Sequence, residues 1–102
     1  MNKRMKQEMK IHEIKLSEEF AEEVLSGQKS FEIRFNDRGY QKGDLVKFKV
    51  VDSIGIPHVF HPLNDKLFEI TYVLSGCGLK ESYVAFSIKE SDVIIIEEDE
   101  EK

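Results

Sequence analysis

The first third of the chain changes from an alternating to a helical pattern of apolar residues. Residues 10–16 mix apolar and polar types in alternation, which predicts a short first strand. Ser17 then stands at an N-cap position, and two glutamates follow it where the helix dipole favours negative charge. An apolar stripe comes next at helical spacing: Phe20, Val24 and Leu25. Gly27 follows the stripe, so the pattern predicts a strand, a helix and a glycine turn.

Beyond that turn the spacing is typical of strands. Residues 30–35 alternate strictly, so the two faces of the predicted strand differ in character. One face carries Phe31, Ile33 and Phe35, and the other carries Ser30, Glu32 and Arg34. Turns are predicted at 36–39 and around Gly43. Further strands are predicted at residues 45–51, 66–74 and 83–88, with a sixth, at an edge, at 92–96.

Residues 52–65 interrupt this series. Two prolines, Pro57 and Pro62, together with glycine and asparagine predict a long loop or a ragged hairpin. The segment is nevertheless rich in apolar residues: Ile54, Ile56, Val59 and Phe60. These residues indicate that the loop packs against the rest of the protein.

The predicted elements fit one small domain. A chain of 102 residues holds a single core. One helix and five or six short strands, the first of which precedes the helix, predict a mainly β, α+β fold, a closed or partly open barrel with the helix across one end. The barrel domain is expected to span 10–96, between a flexible basic arm at 1–9 and an acidic, disordered tail at 97–102.

Composition limits the class of protein. The single cysteine, Cys77, forms no internal disulfide, and no apolar run has the length of a membrane span, so a cytoplasmic protein without a membrane partner is expected. The net charge of −5 argues against nucleic-acid binding, which usually needs a basic surface. Residues 27–42 nevertheless contain four basic residues and only two acids, so a favourable field can exist there.

The charged residues after the helix form the candidate site. Glu32 and Arg34 share one strand face, and Lys29 stands at the junction between helix and strand. An acceptor flanked by two charged donors suits a polar ligand that carries a phosphate or a carboxylate. The alternative is a solvated surface pair that contributes well under ~1 kcal/mol.

The pattern Gly27-x-Lys29-x-x-Glu32-x-Arg34 resembles the GxKxxExR signature of the ASCH group in the PUA-like superfamily. Three segments also resemble a small bacterial and phage branch of unknown function: HEIKL at 12–16, SGQKSFEIRFNDRGYQKGD at 26–44 and ITYVLSGCGLKESYVAFSI at 70–88. The resemblance implies a PUA-like barrel whose cleft, lined by the Lys, Glu and Arg of the signature, binds RNA or a nucleotide-like molecule. Glu32 would accept a hydrogen bond from a base amine.

The resemblance also extends the set of candidate residues. Gly27 is the expected structural turn, and Arg38 and Tyr40 belong to the NDRxY stretch of the branch. Tyr40 either stacks against a base or plugs the core.

Two other functions remain open. Small relatives in the superfamily are amidohydrolases that act on acylated cytidine, and Lys29 and Glu32 would then be catalytic. Glu32, however, stands where those relatives carry a threonine nucleophile. The third possibility is an adaptor encoded by a mobile element, whose edge strand at 92–96 pairs with a partner protein.

No metal or cofactor is expected. His58 and His61 lie three residues apart in the predicted loop but have no carboxylate or thiolate at matching spacing.

Overall fold

The computed structural model describes residues 9–92. The elements run in the order β1 (Ile11–Ser17), α1 (Glu18–Ser26), β2 (Phe31–Phe35), β3 (Leu45–Val51), β4 (Phe68–Ser75) and β5 (Tyr83–Glu90). A short 3-10 helix, Pro62–Asp65, lies between β3 and β4. Apart from Met9 and Asp92, the predicted arm, sixth strand and tail lie outside the described residues. Over residues 9–92, no helix has the length and hydropathy needed to span a membrane.

The five strands form one mixed sheet in the order β1-β3-β4-β5-β2. β1 is parallel to β3, and the other neighbours are antiparallel. The predicted mainly β, α+β class is confirmed. Backbone pairing does not close the sheet, because β1 and β2 are its two edges. The edges nevertheless approach each other, since Nη2 of Arg34 on β2 donates to the carbonyl of Lys15 on β1 at 2.8 Å.

The core lies on one side of this sheet, beneath α1 and the 3-10 helix. Alternate residues of β1, β3 and β5 point inward, as the period of two requires. The buried set includes Ile14, Leu16, Phe48, Val50, Ile70, Val84, Phe86 and Ile88. α1 contributes Ala21 and Val24, and the 3-10 helix contributes Leu63. The helix therefore covers one end of the core, as the sequence predicts.

In β2 the polar face points towards the core and the apolar face points away from it. Phe31, Ile33 and Phe35 are each about half exposed, whereas Glu32 is only 3% exposed. The alternation of β2 is therefore confirmed. The description of Glu32 and Arg34 as a solvated surface pair is wrong, because the carboxylate lies inside.

A bulge changes the pattern of β4 halfway along. Ile70 pairs with Ile88, but Tyr72, and not the intervening residue, pairs with Ser87. The extra residue reverses which positions face inward. Ile70 is therefore buried, whereas Tyr72 is 60% exposed.

The loop after β3 does not pack its four predicted apolar side chains against the domain, so that prediction is wrong. Its apolar side chains are exposed: Ile54, Ile56, Val59 and Phe60. The backbone of this turn is satisfied locally, because the carboxylate of Asp52 accepts hydrogen bonds from the backbone N–H groups of Ile54 and Ile56. The side chains therefore project outward without contact with the core. The bond from Ile56 makes the largest contribution to lowering the pKa of Asp52.

Candidate functional site

Gly27 directs the chain from α1 into β2. Its φ of 86° lies in the left-handed region, and its N–H donates to the carbonyl of Val24. The N–H of Lys29 then reaches the carbonyl of Glu23, so the carbonyls of the last helical turn are satisfied. This termination places the side chain of Lys29 at the entrance to β2. Gly43, the other predicted turn glycine, also has a positive φ and donates to the carbonyl of Ile70.

We expect Gly27→Ala to lower the free energy of unfolding by about 1–2 kcal/mol, because an L side chain is strained at this φ. No atom lies within 4 Å of an added Cβ, so conformation alone causes the loss. Gly27→Asn should lose less, since asparagine tolerates the left-handed region. Urea unfolding of the two variants measures the difference, and equal losses would show that the backbone conformation is not the cause.

Glu32 lies at the centre of a buried ion cluster. One carboxylate oxygen accepts from the ammonium of Lys29 at 2.5 Å, and the other accepts from Nε of Arg34 at 3.0 Å. The side chain of Glu32 is 4% exposed, whereas those of Lys29 and Arg34 are 19% and 25% exposed. The acceptor is therefore enclosed, and its two cations reach the surface.

Lys29 has little donor capacity left. Its ammonium also donates to the carbonyl of Phe31 at 2.9 Å. The same group lies 5.0 Å from the ring centre of Phe31 and 5.4 Å from that of Phe20. Lys29 is thus fixed between a carboxylate, a carbonyl and two aromatic faces.

Arg34 divides the space between the edge strands into two chambers. We call this space the groove. Because Arg34 reaches across to β1, it lines a cavity of about 490 Å³ on one side and one of about 480 Å³ on the other. Both volumes fall within the range of small-molecule sites. No described residue accepts a hydrogen bond from Nη1 of Arg34.

The first cavity, here the Tyr40 chamber, is rich in cations. Arg34, Arg38, Lys15 and Lys49 line it together with Tyr40. Arg38 lies 4.0 Å from Asp37, and Lys49 lies 3.8 Å from a carboxylate oxygen of Glu13, both at the limit of an ion pair. Within the described part of the chain, the ammonium of Lys15 has no ion-pair partner. The chamber therefore offers more donors than acceptors.

Tyr40 is the buried wall of this chamber. The residue is 5% exposed, and no residue within 9–92 hydrogen-bonds its hydroxyl. Burial raises the pKa of Tyr40, an effect that the charges of Arg34 and Arg38 partly oppose. At neutral pH the hydroxyl is therefore a neutral donor that lacks an acceptor in the described structure.

The ring of Tyr40 is held from both sides. Its centre lies 4.7 Å from that of His12 and 4.7 Å from that of Phe86. His12 is itself fixed by a buried contact of 2.8 Å between its Nε2 and a carboxylate oxygen of Asp44. The prediction that Tyr40 plugs the core is confirmed, and the same residue also faces the groove.

The second cavity, here the Phe20 chamber, has aromatic and aliphatic walls. Phe20 and Phe31 line it, with Ile33 and Leu16 beside them and Lys29 and Glu32 at the base. Phe20 is 42% exposed although its position on the stripe predicts a core residue. A flat, apolar ring fits this chamber better than a phosphate does.

All five predicted site residues meet at the groove. Lys29 and Glu32 lie in the Phe20 chamber, Arg38 and Tyr40 in the other, and Arg34 in both. The sequence reasoning missed three contributors: Lys15, Lys49 and Phe20. The two lysines are separated from the signature along the chain and reach the groove through the pairing of β1 with β3.

The histidines of the loop contact the exposed side of α1. Nε2 of His58 lies 2.6 Å from Glu18, and Nε2 of His61 lies 3.5 Å from Glu22. Over residues 9–92, no group of three or more potential ligands is placed to hold a metal ion. These contacts attach the loop to the helix.

Comparison with known proteins gives one family. A family model matches residues 11–88, from the start of β1 almost to the end of β5, and carries the description "Domain of unknown function (DUF3850)". A search of curated proteins found no match. The matched region contains the whole groove.

Proposed function

The chain belongs to the DUF3850 family, whose function is unknown, and we propose from the geometry of its groove that the protein binds a nucleotide or a single-stranded RNA segment. A nucleotide combines a phosphate, which needs several donors, with a flat base, which needs an apolar face. The Tyr40 chamber supplies the donors and the Phe20 chamber supplies the apolar face. We further propose that the partly open sheet is a PUA-like barrel of the ASCH type.

The observation that carries the proposal is the set of donors around Arg34 that lack an acceptor. Its Nη1, the hydroxyl of Tyr40 and the ammonium of Lys15 have no acceptor among the described residues. A phosphate oxygen in the chamber would supply the acceptor that these donors lack. Arg38 and Lys49 also line the chamber, where Asp37 and Glu13 partly offset their charge.

The role of Glu32 differs from the sequence expectation. Each of its oxygens already accepts from a cation, and the side chain is 4% exposed, so little of the carboxylate is open to a base amine. Glu32 is instead a positioning residue that orients Lys29 and Arg34. For the same reason it is poorly placed as the base of an acyl-cytidine hydrolase, and that function stays a prediction without structural support.

We expect Arg34→Ala to weaken nucleotide binding about tenfold to a hundredfold, because charge-assisted hydrogen bonds are lost from the phosphate. Isothermal titration calorimetry with the four ribonucleoside 5′-monophosphates at low salt measures the change. Far-UV circular dichroism checks that the variant is folded.

A double variant on the surface keeps the test independent of the buried cluster. Lys15→Gln with Lys49→Gln should reduce affinity and make it less dependent on salt, since fewer cations of the protein then attract the phosphate through contacts that salt screens. Lys42→Gln with Lys66→Gln is the matched control, because neither lysine lines the groove. The proposal is rejected if the unmodified protein binds no nucleotide or RNA. It is also rejected if the Arg34→Ala variant binds nucleotide with the affinity of the unmodified protein.

A further inference from the structure

Three neighbouring strands carry an exposed apolar surface on the side away from the core. We call it the outer face and define it by the outward residues of β2, β5 and β4. The most exposed members are Phe31, Ile33, Phe35, Tyr72 and Leu74. Tyr83 joins them, because its ring lies 5.6 Å from that of Phe35 in an edge contact. Exposed apolar groups that are contiguous in this way mark an interaction surface.

The register of the strands gives this face a defined shape. Phe31 and Tyr72 both pair with Ser87, so two rings stand on either side of a small residue. The strands that carry the rings are about 9.5 Å apart, which is two strand spacings. A flat ring stacked between two others needs about 7 to 8 Å. The next row repeats the arrangement with Ile33, Ala85 and Leu74.

Phe31 and Tyr72 form the two walls of a trough above Ser87, and the bulge in β4 places the Tyr72 wall. Without the extra residue after Ile70, the period of two would place Tyr72 on the core side. Thr71 at the bulge bonds to the hydroxyl of Ser87 at 2.7 Å, which fixes the floor of the trough. The aromatic pair therefore depends on a specific backbone irregularity.

Positive charge borders the rings. The ammonium of Lys29 lies 5.0 Å from the ring centre of Phe31, and that of Lys80 lies 5.7 Å from the ring centre of Tyr83. The outward positions of β5 from Tyr83 to Ser87, and their partners on β2 and β4, include no carboxylate. Aromatic faces bordered by cations are the combination that single-stranded nucleic acids bind.

The outer face is continuous with the groove. Phe31 and Ile33 line the Phe20 chamber, and Phe35 lines the Tyr40 chamber, so β2 is shared by both surfaces. We propose that the ligand is a single-stranded nucleic acid of several nucleotides, which occupies the groove with one nucleotide and crosses β2 to stack further bases on the outer face. This inference rests on the proposed function and deepens it, because it selects a strand over a single nucleotide and adds a second binding surface.

The experiment compares uridine 5′-monophosphate with fluorescein-labelled octamers of uridine and of deoxyuridine. The unmodified protein should bind an octamer at least about tenfold more tightly than the monophosphate, since stacking adds to affinity with each base. Tyr72→Ser and Tyr83→Ser should each weaken octamer binding about fivefold to a hundredfold and leave monophosphate binding unchanged. Tight binding of either octamer supports the proposal, and the ratio between them identifies the preferred sugar.

Phe60→Ser is the matched control. Phe60 is 94% exposed on the loop after β3 and lines neither chamber, so its removal should change neither affinity. Sedimentation velocity of each variant tests the competing occupant, a second copy of the chain. The proposal is overturned if Tyr72→Ser dissociates a dimer without changing octamer affinity.

The two proposals fail in different ways. If the protein binds the monophosphate but binds an octamer no more tightly, the outer face is not a nucleic-acid surface and the groove function stands. If it binds neither, both proposals are wrong.

Discussion

Glu32→Gln is expected to lower the free energy of unfolding by about 3–5 kcal/mol, the usual effect of removing one partner from a buried ion pair. The carboxylate is 4% exposed and is bonded to Lys29 and Arg34. Glutamine preserves the shape but leaves two cations close together without a compensating charge. Arg34 would also be less well oriented, so nucleotide binding should weaken. Urea unfolding followed by circular dichroism measures the stability change.

Two further variants separate the ion cluster from other effects. Glu81→Gln removes a glutamate from an exposed turn and should change stability by less than about 0.5 kcal/mol. Adding Lys29→Met to Glu32→Gln should recover part of the loss, because one unpaired cation is removed as well. A loss for Glu32→Gln as small as that for Glu81→Gln would show that the buried cluster does not stabilise the fold.

Phe86→Ala is expected to lower the free energy of unfolding by about 3–5 kcal/mol, because it opens a cavity in the core. Phe86 is 1% exposed and supports the ring of Tyr40. A loss of this size is a large fraction of the total stability of a small domain, which is about 5–15 kcal/mol. Thermal and urea unfolding both measure it.

Phe35→Ala on the neighbouring strand is the matched control. Its side chain is about half exposed and makes an edge contact with Tyr83, so the loss should stay below about 1.5 kcal/mol. Equal losses for the two phenylalanines would contradict the assignment of the core to the Phe86 side of the sheet. Such a result would also contradict the assignment of an outer face.

The sequence predicts the order and type of the elements because local patterns determine them. Ser17 accepts from the N–H of Glu19, and Gly27 ends α1 in the left-handed region, as their residue types indicate. The alternation in β2 likewise identifies a strand. It does not reveal which face is buried, since hydrophobicity alone would place Phe31 inside and Glu32 outside. Ion pairs and contact with another strand reverse that choice.

The groove depends on contacts between distant segments, which single-sequence reasoning does not provide. The signature identifies Lys29, Glu32 and Arg34, but Lys15 joins the site because the fold brings β1 within reach of Arg34 on β2. The bulge after Ile70 is equally hidden, because KLFEITYVL reads as a regular strand. The prediction that the apolar side chains of the loop pack inward was wrong, because Asp52 satisfies the local backbone and the neighbouring apolar side chains project outward.

The position of the two edge strands also bears on how the protein behaves at high concentration. An exposed strand edge offers unpaired N–H and C=O groups. Strands of other molecules can pair with these groups and so form aggregates. In residues 9–92 both edges of the sheet, β1 and β2, approach each other across the groove, where Arg34 spans them and Lys15 lies on β1. The architecture that forms the candidate site therefore also shields the sheet from edge-to-edge association with other copies.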